Sequence, residues 1–425
     1  MSIYLFPARM LIHMSKQNIF LVIFFAFLFS CSTQEDNLFA ENVDPITNNN
    51  KNYSGLTDAY LTDIGTINID VIANGNYPGQ SKAAFRKDIN APNFGYCHPD
   101  VQYFPNGFNG YKYWMVFTPY FGTVGIEPDS KRYENPTIVV SNDGLNWRPP
   151  NGVQSPLQRT VSKAESFAEN KQDPIQGFWS DVDWIYENGR FSLYYRGSMI
   201  KAKALKARGA KSTNNFKKLL TNSQRTIVRQ TSTDGVSWSP LEVVYKSSYP
   251  YSPNNNHMIS PSFVYTGKNY VSFEVENNIS HNFPGNEASY VIRRTSDNGL
   301  DFSIFKKSKV VNFINKPWTD VNSSDAPWHI QATYVDGYYF LCIAAGDVRK
   351  YTADSLYLAV SKDGLNFKVF PKLLVKNNAY RSCIFPMITT NEVINFGAVI
   401  AYKTGVFKYR EFQLSKQKLD DFLSN

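Results

Sequence analysis

Asp100, Asp181, Ser260, His329 and Arg381 stand at what the sequence marks as one recurring step of a repeated unit. Two carboxylates, a histidine and an arginine brought to one point can move protons and grip a polar substrate, because unlike surroundings split a carboxyl pair into an acid and a base. Their separations are far too large for one helix or hairpin. The positions must therefore be carried by similar units arranged in a ring.

The units are visible in four turns: Ser141-Asn-Asp143-Gly144-Leu-Asn-Trp147, Thr233-Asp234-Gly235-Val-Ser-Trp238, Ser296-Asp297-Asn-Gly299-Leu-Asp-Phe302 and Ser361-Lys-Asp363-Gly364-Leu-Asn-Phe367. Glycine takes the positive φ of a tight turn, Asp hydrogen-bonds the turn backbone, and the aromatic restarts a strand. Before the second turn, Ser180–Tyr186 alternates as a strand, Glu187-Asn-Gly189 turns, Arg190–Tyr195 returns, and Arg225–Ser232 makes a third strand. Four antiparallel strands per unit predict an all-β fold, a five-bladed β-propeller of four-stranded antiparallel blades. The blades begin near His98, Ser180, Ser260, His329 and Arg381; the last lacks the Asp-Gly turn, and residues 58–74 are expected to supply the strand that closes the ring.

Aligning the second-strand aromatics Phe191, Tyr270 and Tyr339 superposes Asp181, Ser260 and His329. Matching Asp100-Val101 to Asp181-Val182 adds Asp100, and Arg381 follows in the last blade. The innermost strands of a propeller start at one mouth of the channel, so these five side chains are expected to share a pocket. An Asp that opens a strand also caps backbone amides, a purely structural alternative for Asp100 and Asp181.

The rest of the chain sets the context. Residues 15–31 have a cationic start, an apolar run too short to span a bilayer comfortably, and Leu28-Phe29-Ser30-Cys31 at the end. That ending resembles a bacterial lipobox, which implies acylation of Cys31 and an exported, lipid-anchored protein of the bacterial cell envelope. Met14 is a candidate true start. Residues 1–31 read as signal, 32–55 as a flexible polar tether and 56–425 as the propeller. Cys97, Cys342 and Cys383 remain, an odd count that argues against a disulfide framework. No Cys/His cluster has zinc spacing, so no metal site is expected.

The net charge of +8 is concentrated in Lys201–Lys218, a solvated insertion or an anionic contact surface, and an exported protein gives no reason to expect nucleic acid. A monomer is expected. Aromatics make up 15% of the chain and serve both sheet and sugar stacking.

Five blades, acids opening the first two, and the strand-turn-strand texture of Ser180–Tyr195 resemble the five-bladed propeller glycosidases of glycoside hydrolase family 43 and of families 32, 62, 117 and 130. The resemblance spans about residues 90–413 and implies cleavage of a poly- or oligosaccharide without a required cofactor. It assigns Asp100 as general base and Asp181 as the group that tunes pKa. Ser260 stands where the family's acid is a Glu, and His98-Pro-Asp100 departs from its Asp-Pro-Ser order, which leaves His98 as an alternative for the first Asp.

A glycosidase needs an acid that stays protonated. Loops that open on the same mouth nominate Glu134, fixed by Asn135 and Pro136, and then Glu274 or Glu276. Arg196 and Arg381 would orient substrate, His329 would bond sugar or hold a structural ion in the central channel, and Tyr120, Trp179 and Trp328 would stack on rings or fill the core. The expectation is a glycoside hydrolase; the alternatives are a non-catalytic glycan-binding propeller, favoured by Ser260, and a polysaccharide lyase.

Overall fold

A computed structural model describes residues 61–70, 95–120, 136–154, 157, 178–198, 226–246, 255–278, 289–302, 309–318, 325–347 and 353–425. Cys31, Met14, the tether, Glu134 and Lys201–Lys218 lie outside the described residues. Five antiparallel sheets form the propeller. The first blade is Gly95–Phe108, Tyr111–Tyr120 and Thr137–Ser141, with Asn146–Trp147 alongside. The second is Phe178–Glu187, Arg190–Ser198, Thr226–Ser232 and Glu242–Lys246. The third is Asn255–Tyr265, Tyr270–Asn278, Ser289–Ser296 and Lys309–Val310.

The fourth blade is Asp325–Val335, Tyr338–Asp347, Ser355–Ser361 and Asn366–Val369, flanked by Asn312–Ile314. The fifth runs Cys383–Thr389, Val393–Ala401 and Phe407–Ser415 and takes its outer strand, Thr62–Thr66, from the other end of the chain. That pairing replaces a loop with a hydrogen-bonded seam and closes the ring. The helix Lys416–Ser424, capped by Ser415, buries Leu419 and Phe422 against the last blades.

The turns are clasps between blades. Asp143 Oδ1 accepts from the amides of Leu145 and Asn146, and the Trp147 indole donates to the Gly144 carbonyl at 2.8 Å. Asp234 and Asp363 repeat the pattern. In the third turn Asn298, not Asp297, takes that place, accepting from Leu300 and Asp301 at 2.9 Å. All four turns therefore share one spacing. Gly235 shows why glycine is required: at φ +74 a Cβ would lie 2.3 Å from the Trp114 ring of the preceding blade.

Between the blades lies the core, whose fully buried Trp114, Trp184 and Phe191 interlock with Trp184 stacked on Phe191 at 4.9 Å. Each such side chain contributes about 1.5–3 kcal/mol by leaving water, which explains the high aromatic content without invoking sugar. Cys97, Cys342 and Cys383 are buried free thiols.

Candidate active site

Each of the first three blades opens with a bulge. Two residues of the inner strand face one of the next between Cys97 and Asp100, Ser180 and Asp183, and Ile259 and Ser262. His98, Asp181 and Ser260 sit at its first position with φ of 54°, 53° and 50°. Positive φ in a non-glycine residue costs on the order of 1–3 kcal/mol, and here it turns three polar side chains toward the axis. His329 holds the corresponding step of the fourth blade and Arg381 that of the fifth.

This register corrects the place of Asp100. His98 is the counterpart of Asp181, and Asp100 is the counterpart of Asp183. The Pro99 and Pro261 that follow His98 and Ser260 carry the signal, since proline suits a bulge where no ladder N–H is needed.

Two residues along each strand lies a second ring with a different purpose. Asp100 Oδ2 accepts the Trp184 amide at 2.8 Å, Asp183 Oδ2 the Phe263 amide at 2.7 Å, Ser262 Oγ the Ala332 amide at 2.7 Å, and Gln331 Oε1 the Ile384 amide at 3.2 Å. Every member reaches the next blade, so the ring is a girdle. Burial pushes the Asp100 carboxyl up to about 7 and raises Asp183 as well, with the Asp100 charge adding to the second shift.

Arg381 is also a girdle residue by its side chain. Its Nε donates to the Ile330 carbonyl at 3.0 Å, Nη1 to Val182 at 2.6 Å, and Nη2 to Asp183 Oδ1 at 3.3 Å and to Pro261 at 3.4 Å. The guanidinium, 1% exposed, stands on the carbonyls of three blades and commits four of its five N–H donors to them and to Asp183, so it is a structural group and not one free to orient a substrate.

The mouth ring is organised around Asp181. Its Oδ2 lies 2.7 Å from Arg196 Nη2 and accepts the Ser260 amide at 3.3 Å. Its Oδ1 lies 3.1 Å from His98 Nε2 and 3.9 Å from His329 Nδ1. The first distance would allow a hydrogen bond but the direction does not, and both buried atoms, His98 Nε2 and Asp181 Oδ1, lack a hydrogen-bond partner. Burial opposes the Asp181 carboxylate, but the surrounding positive groups, Arg196 foremost, together outweigh it and hold it well below the usual range. Burial lowers His98 to about 3 despite Asp181, and likewise drives His329 well down, so both rings are neutral at pH 7.

One ligand atom from each of His98, Asp181 and His329 lies within 4.8 Å of the others. Two neutral imidazoles and a carboxylate, with two buried atoms that lack hydrogen bonds face to face, fit a divalent cation such as zinc, whose ligands sit about 2.0–2.2 Å from the metal. The sequence hid this set because its members come from three blades, so no short spacing exists.

The remaining candidates separate. Glu274 is fully buried, paired with Arg294 Nη1 and accepting the Tyr245 hydroxyl at 2.6 Å, and burial raises its pKa. Those bonds tie it between the second and third blades, a structural carboxylate and not the free acid that was expected. Trp179 is 2% exposed, edge-on to Tyr195 at 5.5 Å within the core between the first two blades, so of its two expected roles it takes that of core residue. Trp328 is likewise buried, edge-on to His329 at 5.7 Å, and supports that ring instead of facing a sugar. Tyr120 ends the second strand of the first blade, and its side chain lies outside the described residues. Arg196 is half-buried and also donates to Ser180 Oγ at 3.1 Å. Sequence reasoning missed Thr118 and Tyr380, whose hydroxyls lie 2.6 Å from His98 Nδ1 and 3.0 Å from His329 Nε2.

No protein-family model matches the chain. It is 27% identical over 291 residues to an A type blood N-acetyl-alpha-D-galactosamine deacetylase of Flavonifractor plautii. The match covers 64% of this chain and 34% of the relative, so the chain spans about a third of that protein's length. The crystal structure of an N-acetylgalactosamine deacetylase from F. plautii, in complex with blood group B trisaccharide, superposes with a TM-score of 0.58 at 18% identity, covering 84% of this chain and 96% of that one. A glycoside hydrolase family 43 enzyme from Xanthomonas citri gives a TM-score of 0.42 at 11% identity, covering 78% and 92%. The five-bladed propeller that the sequence predicts is the fold observed, and it resembles that of carbohydrate-active propellers.

Proposed function

We propose that this chain is an exported carbohydrate-active hydrolase that removes the acetyl group from an N-acetylated amino sugar, using a divalent cation held by His98, Asp181 and His329. The observation that carries this reading is a pair of buried atoms without hydrogen bonds, His98 Nε2 and Asp181 Oδ1, lying 3.1 Å apart with His329 Nδ1 at 3.9 Å from the same oxygen. A divalent cation among the three atoms would satisfy all of them at once. The likeness to a protein named as an N-acetylgalactosamine deacetylase supports it.

The carboxyl geometry supports amide over glycoside cleavage. Of the candidate carboxyls, Asp181 belongs to the mouth ring, Asp100 is engaged in the girdle, Glu274 in its ion pair, and Glu276 lies 3.7 Å from Arg294 Nη2. A glycosidase requires two carboxyls flanking the scissile bond. A bound cation would polarise the acetyl carbonyl and make its own water more acidic. Arg196 keeps Asp181 ionised, and its half-buried guanidinium would offer charged N–H donors to a substrate oxygen. The buried, neutral imidazoles keep their lone pairs available. In balance, the amide C–N bond breaks, water supplies oxygen to acetate, and the sugar nitrogen leaves as amine.

Incubation of the purified protein with oligosaccharides bearing N-acetylhexosamine ends tests this. Acetate without new reducing ends is the expected result; new reducing ends without acetate would replace the reading by glycoside hydrolysis, with Glu134 the remaining acid. The Leu28–Cys31 ending supports anchoring of the protein to the cell envelope through Cys31. Fatty-acid labelling of the wild type and not of Cys31→Ala is the outcome expected, and label on both variants or neither contradicts it.

A further inference from the structure

A neutral imidazole carries one N–H and one lone pair, and the hydrogen bond made by one nitrogen decides what the other presents. His98 Nδ1 is 2.6 Å from Thr118 Oγ1, and the Thr118 hydroxyl donates to the Cys97 carbonyl at 3.4 Å. With its single proton so committed, that hydroxyl accepts from Nδ1–H. Nε2 is then left as a lone pair toward Asp181. His329 is turned the other way. Its Nε2 lies 3.0 Å from the Tyr380 hydroxyl, while Nδ1 faces Ser260 Oγ at 2.7 Å and Asp181 Oδ1 at 3.9 Å.

We propose that Thr118 and Tyr380 are positioning residues that lock opposite tautomers of the two histidines, so that His98 presents Nε2 and His329 presents Nδ1 to one cation beside Asp181 Oδ1. The proposal rests on the cation reading above but makes a separate claim about which groups set the ligand atoms. Tyr380 serves both rings: it is buried, with its own ring 5.6 Å from His98 and 4.7 Å from His329. Its hydroxyl takes Nε2–H of His329 as an acceptor. Ser260, at the fourth position of the mouth ring, donates to the Nδ1 lone pair and competes there with the cation. The Ser260 hydroxyl therefore holds the lone pair satisfied until a cation arrives.

Cobalt(II) chloride titrated into the chelator-dialysed protein, followed by calorimetry and by visible absorption of the bound ion, separates the claims. Wild type is expected to bind one equivalent. Tyr380→Phe and Thr118→Val should each bind about 10–100-fold more weakly. Thr118→Ser, which keeps the hydroxyl, should retain wild-type affinity and guards against a mere folding defect. Ser260→Ala should bind as tightly as wild type or tighter, because a competing donor is gone. Wild-type affinity in Tyr380→Phe overturns the tautomer lock while leaving the cation reading intact. Loss of binding in Ser260→Ala makes that hydroxyl a ligand and overturns the competition. No binding by wild type removes the cation reading, and this inference with it.

Discussion

The mouth ring and the girdle occupy the same inner strands, two residues apart, and their polar groups are treated in opposite ways. In the girdle, Asp100, Asp183, Ser262 and Gln331 each accept an amide of the following blade, and Arg381 spends its donors on three carbonyls and Asp183. In the mouth ring, His98 Nε2 and Asp181 Oδ1 are buried without partners and three backbones are held at positive φ. Burial alone therefore does not distinguish structure from function in this propeller. What sets the mouth ring apart is that two buried atoms without hydrogen bonds, from two different blades, lie 3.1 Å from each other; single unmet atoms such as Trp184 Nε1 and Ser192 Oγ also occur in the core.

The contrast breaks most visibly at the two second-blade aspartates. Asp183→Ala strips Arg381 of its carboxylate and leaves the Phe263 amide unpaired, and is expected to cost about 3–5 kcal/mol in chemical unfolding. Asp181→Asn keeps a carbonyl oxygen for Arg196 and the Ser260 amide and loses only the charge, so it is expected to cost less, about 1–2 kcal/mol. Equal losses in the two variants would erase the distinction between the rings.

A smaller effect separates the rings by the sign of their pH dependence. Folding lowers His98 from an unfolded value of about 6.5 to about 3, so in that window the unfolded chain binds a proton that the folded chain refuses. Its contribution to stability is present above pH 6.5 and is lost as pH falls. Asp100 is raised from about 3.8 to about 7, so the folded state holds the extra proton between these values. Its contribution is present below pH 3.8 and is lost as pH rises to 7. Each slope is at most about 1.4 kcal/mol per pH unit. Unfolding between pH 4 and 8 should therefore show His98→Gln less acid-sensitive than wild type, and Asp100→Asn with a smaller decline toward pH 7 than wild type, Asp183 supplying the remainder. Parallel profiles for all three proteins would count against both assignments.

Much of the fold was legible in the sequence because turns are local. Ser141–Trp147 and its repeats fix the phase of the blades with side chains that bond their own neighbours. The strand from residues 58–74 was legible as a requirement of closure, met by Thr62–Thr66. Asn298 was misjudged because Asp297 looks like the better turn former, although spacing from Ser296 decides the acceptor. The site was legible only in part. Alternation placed Asp181, Ser260 and His329 together, but a bulge adds a residue without announcing it, and this moved Asp100 into the girdle and brought His98 to the mouth. The direction of the long Arg381 side chain, down the axis instead of into the mouth, and the burial of Trp179 depend on packing between blades, which no local pattern encodes.

The central claim is that the mouth ring is a cation-dependent deacetylation site, and acetate release from an N-acetylhexosamine-terminated oligosaccharide after dialysis against a chelator tests it most directly. The account predicts that dialysed protein releases no acetate, that zinc or cobalt restores release in wild type, and that Asp181→Asn stays roughly a hundredfold or more below wild type at saturating cation. Acetate release that survives chelation, or that Asp181→Asn retains in full, would contradict it.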